Sequence, residues 1–324
     1  MVDIAILALH NALPASIADA QYVFNTVNRF LVEAGGKPGF SVQLVGLSTE
    51  VKLQKANYII RPHAVIHDLT STSLIIIPAL EGDMLSATYL NKGFAPWIAN
   101  QYRNGAEVSS LSTGAFLLAF SGLLNGKECT THWAYANEFC FLYPNVKLRD
   151  QKMIVHQGGL YSSGGNNAYW NLLLYLVEKY AGREIAIRIA KYFVIDITKN
   201  NQAPFIIFNG FKDHVDDAIK LIQQLIEQEV NKKTSVDTLA EKAHMTRRTF
   251  ERRFKKATRI TVTEYIQRVK IEAAKKQLEI GRKSISDVMH ELGYSDLPTF
   301  RELFKRIAGM TPIEYKKKYA QGLQ

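Results

Sequence analysis

Cysteine is almost missing from this chain: Cys129 and Cys140 are the only two among 324 residues. Two thiols make neither a disulfide framework nor a metal-ligand cluster, and no Cys-x-x-Cys spacing occurs. No metal and no cofactor is therefore expected, and a reducing cytoplasm is the natural compartment. No stretch approaches 18 apolar residues, and no basic segment precedes an apolar run near Met1. Membrane association and export are both excluded as expectations. There is also no low-complexity tract.

What is present is apolar content and positive charge. The hydrophobic class makes up 47% of the residues, enough for sizeable cores in a chain of two-domain length. The net charge is +10, and it is unevenly placed. Residues 213–324 hold 23 Lys+Arg against 16 Asp+Glu, whereas residues 1–212 hold 17 against 14. A basic C-terminal segment is the electrostatic footprint of a nucleic-acid partner.

That segment contains a near-repeat. Phe250, Phe254, Thr261, Glu264 and Tyr265 return as Phe300, Phe304, Thr311, Glu314 and Tyr315, each 50 positions on. Upstream the offset is 49, as in Ser235/Ser284 and Thr246/Ser295, so one supersecondary unit is built twice. In each copy a short amphipathic helix, a turn and a second helix follow one another, over about 235–257 and 284–308. Phe250 and Phe254, at i and i+4, must face inward. Arg247, Arg248, Glu251, Arg252 and Lys255 are then expected outward, as a rod that fits a DNA major groove. The outward positions of the second copy are Leu297, Pro298, Arg301, Glu302 and Lys305. Between the copies, Ile266–Ile280 reads as a helix ended by Gly281. At about 1.5 Å per residue it spans roughly 25 Å. A Lys/Arg-rich helix alone is most often just a solvated face; the duplication argues for DNA.

Residues from about 213 to 320 resemble the DNA-binding domain of AraC/XylS-family transcription regulators. Gly293-Tyr-Ser-Asp296, Phe300-x-x-x-Phe304-Lys305 and Gly309-Met-Thr-Pro312-x-x-Tyr315 carry the resemblance. His244 and Val262 depart from it, standing where the second copy has Gly293 and Pro312.

The first part of the chain alternates strand and helix. Val2–Leu9 and Ser73–Pro78 are unbroken apolar runs of the kind buried on both faces of a parallel sheet. Helices are expected over 18–34, 89–104, 113–121, 167–180 and 184–193, and strands over 40–47, 106–111, 146–148 and 153–162, the last bent at Gly158-Gly159. This order predicts an open, flavodoxin-like α/β sandwich over 1–196. The polar stretch 197–212 reads as a linker. An all-α domain with two helix-turn-helix motifs follows over 213–324, opened by Val215, Ala218, Ile219, Ile222 and Ile226.

In such a sheet the ligand site lies at the C-terminal ends of the strands. Candidates there are Ser112 and Thr113 on a strand-to-helix elbow, His132 with Trp133, Ala79 and Leu80 with their backbone N–H groups, and Ser16 after the first strand. Read blandly, Ser112 is a small turn residue, His132 a packed histidine and Glu81 a solvated carboxylate. Ser112-Thr-Gly-Ala-Phe-Leu-Leu-Ala, Thr130-Thr-His-Trp133, Tyr161-Ser-Ser-Gly-Gly165 and Gln202-Ala-Pro-Phe205 resemble the PfpI-like, class I glutamine amidotransferase-like superfamily, in the version fused to AraC-type domains (GlxA-type). That resemblance implies a cysteine at the elbow and a paired carboxylate after the first strand. Here Ser112 stands at the elbow, and no acid precedes Asp19 in the stretch from Asn11. A serine hydroxyl needs an oriented base where a thiolate forms readily.

The expectation is thus a sequence-specific, DNA-binding transcription regulator controlled by a small metabolite in a catalytically inactive domain, not an enzyme. The alternative is a Ser-dependent hydrolase or amidase fused to a DNA-binding domain. Promoter DNA, a homodimeric second copy and, if the chain activates, RNA polymerase are the expected macromolecular partners. The resemblance suggests an amino acid or a quaternary-amine-like effector.

Overall fold

The computed structural model describes residues 1–53, 57–165, 167–196, 201–212, 214–232 and 234–320. The chain divides into two compact units, Met1–Gln202 and Ala203–Gln324. In order, the first unit runs β1 (Val2–Leu7), α1 (Pro14–Glu33), β2 (Phe40–Gly46), β3 (Val51–Leu53), β4 (Tyr58–Ile60), β5 (Ala64–Val65) and β6 (Leu74–Ile77). It continues with α2 (Met84–Leu90), α3 (Phe94–Arg103), β7 (Glu107–Ser110), α4 (Ala115–Phe120), β8 (Glu128–Cys129), α5 (Ala136–Leu142) and β9 (Lys147–Leu148). It closes with β10 (Ile154–Gln157), β11 (Leu160–Ser163), α6 (Ala168–Ala181) and α7 (Arg183–Tyr192).

Seven strands form one sheet in the order β10-β11-β7-β6-β1-β2-β5. Neighbours are parallel throughout except β10 and β11. Ile4–Leu9 and Leu74–Ile77 are all buried, as their unbroken apolar runs require. From β1 the chain moves to β2 and β5 on one side, then returns to lay β6 against β1's other edge. Strand order reverses there, so the loops leaving β1 and β6 part around a crevice.

Three local expectations change. The helix read over 89–104 is broken into α2 and α3 at Asn91-Lys92-Gly93. The buried Asn91 causes the break, because its amide pairs with both backbone groups of His10 (2.9 and 2.8 Å) and with the Ala87 carbonyl. The strand read over 153–162 is a hairpin, with Gly158 and Gly159 both at positive φ (60° and 75°), the requirement of a tight two-residue reversal. Strand β9 lies outside the main sheet and pairs with β8.

The second unit is helical: α8 (Asp217–Gln228), α9 (Val236–Lys242), α10 (Arg247–Thr258), α11 (Val262–Ile280), α12 (Ile285–Glu291), α13 (Leu297–Ala308) and α14 (Pro312–Tyr319). Val215, expected on the buried face of its first helix, precedes α8 and is 97% exposed. All seven of these helices start on a Ser, Thr or Asp whose side chain accepts an amide three residues on: Asp216, Ser235, Thr246, Thr261, Ser284, Asp296 and Thr311. His244 takes the left-handed turn (φ 52°) that Gly293 takes in the second copy (φ 77°). Histidine adopts that conformation at some cost.

Two separate cores result. Phe250, Phe254 and Tyr265 anchor the first with α8 and α9; Phe300, Phe304 and Tyr315 anchor the second with α12. Helix α11 walls both, giving Val262, Tyr265 and Val269 to one and Ile271, Ala274 and Leu278 to the other. The repeat also extends further back than the sequence pattern. Tyr265 donates to Glu227 of α8 (2.8 Å), and Tyr315 donates to Glu279 of α11 (2.5 Å). Each half is therefore an opening helix, a helix-turn-helix and a closing helix, and α11 closes one half while opening the next.

Candidate functional site

The crevice at the sheet's switch point is a cavity of about 340 Å³ lined by Leu13, Leu80, Glu81, Gly82, Thr113, His132 and Tyr135. Its walls come from the loops after β1, β6 and β7 and from the turn that enters α5. The first two loops are zipped together: Leu13 N donates to Ala79 O and Glu81 N to Asn11 O, both at 2.8 Å. Leu80 is gripped by the Thr113 hydroxyl, which accepts from its N–H (2.8 Å) and donates to its carbonyl (2.7 Å).

Ser112 heads the elbow at φ 52°, a left-handed conformation that costs a non-glycine residue about 1–3 kcal/mol. The surroundings hold it there. Ser163 Oγ accepts from Ser112 N (3.0 Å), and Thr131 Oγ1 donates to Ser112 O (3.0 Å). A Cβ on Gly114 would stand 2.5 and 2.6 Å from the Pro78 and Ile77 carbonyls, so only glycine lets the helix behind the elbow close on β6. Ser112 itself is fully buried and does not line the cavity.

His132 is the titratable group whose state matters most. Burial holds its pKa below the usual histidine value of 6.5, so the ring is neutral at pH 7. Its Nδ1 accepts from Ala134 N (3.1 Å), which puts the single ring proton on Nε2. An imidazole in that tautomer offers a donor at Nε2. A base activating a serine hydroxyl would need a lone pair there.

The seven residues expected at the site divide accordingly. Leu80, Thr113 and His132 line the cavity. Ser16, Ala79, Ser112 and Trp133 do not. Ser16 is buried, donating to Leu13 O (2.7 Å) and accepting from Ala79 N (3.1 Å). The N–H groups of Ala79 and Leu80, read as facing a ligand, are thus spent on Ser16 and Thr113. Trp133 is a partly buried ring tilted against His132 at 5.6 Å. Sequence reasoning missed Leu13, Gly82 and Tyr135, and it read Glu81, which lines the cavity, as a solvated carboxylate. His63 and His67 share a ligand-like spacing, but His63 Nδ1 accepts from Leu44 N. No group of three His, Cys, Asp or Glu among the described residues could hold a metal, and no described helix is long and apolar enough to cross a membrane.

In the second unit, Arg248, Glu251, Arg252 and Lys255 stand exposed along α10, opposite Phe250 and Phe254. Arg247 is exposed too but tied, to Asp237 (3.0 Å) and Glu251 (3.3 Å). On α13, Pro298, Arg301, Glu302 and Lys305 are exposed. Leu297, expected among them, is half-buried and packs instead against the second core. Each row projects from a helix whose far side is anchored in its own core.

The sequence matches the DJ-1/PfpI family over residues 20–179 and the helix-turn-helix domain family over residues 239–318. It is 26% identical over 229 residues to the HTH-type transcriptional regulator CdhR of Pseudomonas aeruginosa, covering 67% of each chain. Matches to curated regulators of this kind span about two thirds of their length. A 130-residue stretch is 28% identical to the isonitrile hydratase of Pseudomonas putida, covering 39% of this chain and 54% of that one. A solved structure from Vibrio parahaemolyticus superposes with a TM-score of 0.52 at 23% identity, over 60% of this chain and 98% of that one, a likeness of fold.

The neutral state of His132 has a consequence for stability. Its folded pKa lies below the unfolded value, so the unfolded chain takes up the proton first as pH falls. Stability held above about pH 6.5 is then lost on acidification. The urea midpoint of the first unit should fall between about pH 7 and pH 5, less steeply in His132→Gln. An unchanged slope in that variant would assign the loss to other groups.

Proposed function

The chain belongs, through its two domains, to the AraC/XylS-type helix-turn-helix regulators fused to a DJ-1/PfpI domain, and on that premise we propose an effector-gated, sequence-specific regulator of transcription. One observation carries this reading. The chain that holds a cavity at the switch point of its sheet also presents two exposed basic helix faces, on α10 and α13.

The effector we assign to the cavity is a small zwitterion, an amino acid or a quaternary-amine-like metabolite. The lining supports it: His132 Nε2–H is a donor for a carboxylate, while Glu81 and the Tyr135 ring suit a cationic group. The DNA residues are Arg248, Arg252, Lys255, Arg301 and Lys305, with Arg247, Glu251, Leu297, Pro298 and Glu302 shaping the two faces. Arginine at 252 and 301 can fork onto guanine, and the lysines suit phosphates. If the chain activates, RNA polymerase is the further partner. With duplexes selected from a random pool, Arg252→Ala should lose about 1–3 kcal/mol and relax preference at one base position. Uniform weakening on every sequence would make Arg252 a backbone contact only.

We assign dimerisation to the first unit, in a cytoplasmic protein. One helical unit carries only a modest excess of positive charge, and electrostatic binding of that kind is weak, with Kd about 10⁻⁴–10⁻⁶ M. Pairing two such units raises avidity by about 10²–10⁴. Sedimentation of the full chain should give a dimer at micromolar concentration; a monomer that still binds its selected duplex tightly would end this assignment.

The hydratase similarity keeps an enzymatic reading in play. The burial of Ser112 and the tautomer of His132 oppose it. A fluorophosphonate probe should leave Ser112 unlabelled. Stoichiometric labelling that disappears in His132→Ala would promote the hydrolytic alternative.

A further inference from the structure

The two units meet in sequence at the Gln202–Ala203 bond, and both sides of that bond are held. Gln202 is 2% exposed. Its Nε2, with two hydrogens to give, lies within hydrogen-bond distance of the carbonyls of Asp150 (2.7 Å), Thr131 (3.0 Å) and Lys152 (3.2 Å) and of the Thr130 hydroxyl (3.3 Å). Its Oε1 accepts from Gly165 N (2.8 Å), and its backbone N–H donates to Gln151 O (2.9 Å). The socket is shaped for this amide: a Cβ on Gly164 would come within 2.4 Å of Oε1.

The socket is also built from the cavity's own framework. Thr131, whose carbonyl Gln202 engages, holds the Ser112 carbonyl through its hydroxyl and precedes His132. At Gly165 a Cβ would lie 3.6 Å from both Gln202 Oε1 and His132 Nε2, so glutamine and histidine flank that one glycine. An effector that draws on His132 Nε2–H therefore acts next to the amide of Gln202.

On the far side the chain is fastened to the DNA-reading helices. Ala203–Phe205 forms a single 3-10 turn against α13, with Lys318 of α14 over the Phe205 ring at 5.0 Å. Ile206 O accepts from the buried Lys275, and Phe208 N donates to Glu272 Oε2 (3.1 Å). Both residues belong to α11, the helix that spaces the two halves. Phe208 packs on Tyr265 at 5.3 Å.

We propose that Gln202 is the coupling residue of this protein. Its amide, seated or unseated in the socket of Thr131, Asp150 and Gly165, is the two-state element through which effector occupancy biases α11 and α13. The proposal rests on the regulator reading and names the route of its regulation. Coupling is reciprocal, so DNA can be the probe in place of an unidentified effector. Full-length protein is examined by hydrogen exchange and mass spectrometry, with and without a duplex selected from a random pool. Bound duplex should change exchange at 130–135 and 162–168 by about fivefold or more, the lower end of ordinary coupling. In Gln202→Ala the change should vanish while duplex affinity stays within about threefold. Lys275→Met cuts the same strap at its other end, leaves Gln202 and the cavity untouched, and should also abolish the change, which keeps the test intact if Gln202→Ala does not fold. Persistence of the exchange response in both variants, or its absence in the parent chain with duplex bound, overturns the coupling role and leaves the regulator reading standing. A parent chain that selects no duplex overturns both.

Discussion

Helix α11 has to bury two faces at once, and the arrangement of the whole DNA-reading unit follows from that. A helix between two separate cores cannot turn about its axis to improve one without exposing the other. The two helix-turn-helix motifs are therefore held in mutual orientation by their packing on this one helix. At 1.5 Å per residue its 19 residues run about 28 Å, close to one turn of DNA. The cost is polar burial, since Lys270 and Lys275 are 8% and 4% exposed. Lys270 Nζ donates to Leu292 O at the end of α12 (2.7 Å), and Lys275 Nζ donates to Ile206 O in the strap and to Glu272 Oε2 (2.9 Å). Buried charges that hydrogen-bond in this way fix geometry more than they add stability.

The first unit makes a comparable trade at its elbow. A residue at positive φ in front of a helix is a strained device, and enzymes use it to present a nucleophile. Here the strain persists with a buried serine at the apex, held by Thr131 and Ser163. What it still delivers is position. The elbow sets Thr113, which clamps Leu80 and so fixes the mouth of the cavity.

Local chemistry was the legible part of the sequence. Phe250 and Phe254, like Phe300 and Phe304, announce an inward face by spacing alone. The unbroken apolar strands named their own burial. What could not be read depended on partners far away in sequence. Asn91 splits a helix to serve His10, Glu81 is brought to the cavity by a loop zipped onto Asn11, and Lys270 and Lys275 are buried where Leu292 and Ile206 offer carbonyls. Leu297 was placed outward by helical register, and register says nothing about which residue of a first turn meets a core built from distant helices.

The stretch between the domains is where composition was least informative. Polar, aperiodic residues read as slack, and slack would let each DNA-reading unit search for its site independently. Residues 197–200 lie outside the described residues; from Asn201 onward every bond runs the other way. Asn201 bridges Lys152, Gln202 fills its socket, and Ile206, Phe208 and Gly210 lie on α11. At Gly210 (φ 76°) a Cβ would stand 2.6 Å from the Tyr265 hydroxyl, a fit that a passive tether would not require. The polarity of the strap is thus the chemistry of its two docking sites: an amide for a ring of carbonyls in one unit, and a carbonyl and an N–H for Lys275 and Glu272 in the other.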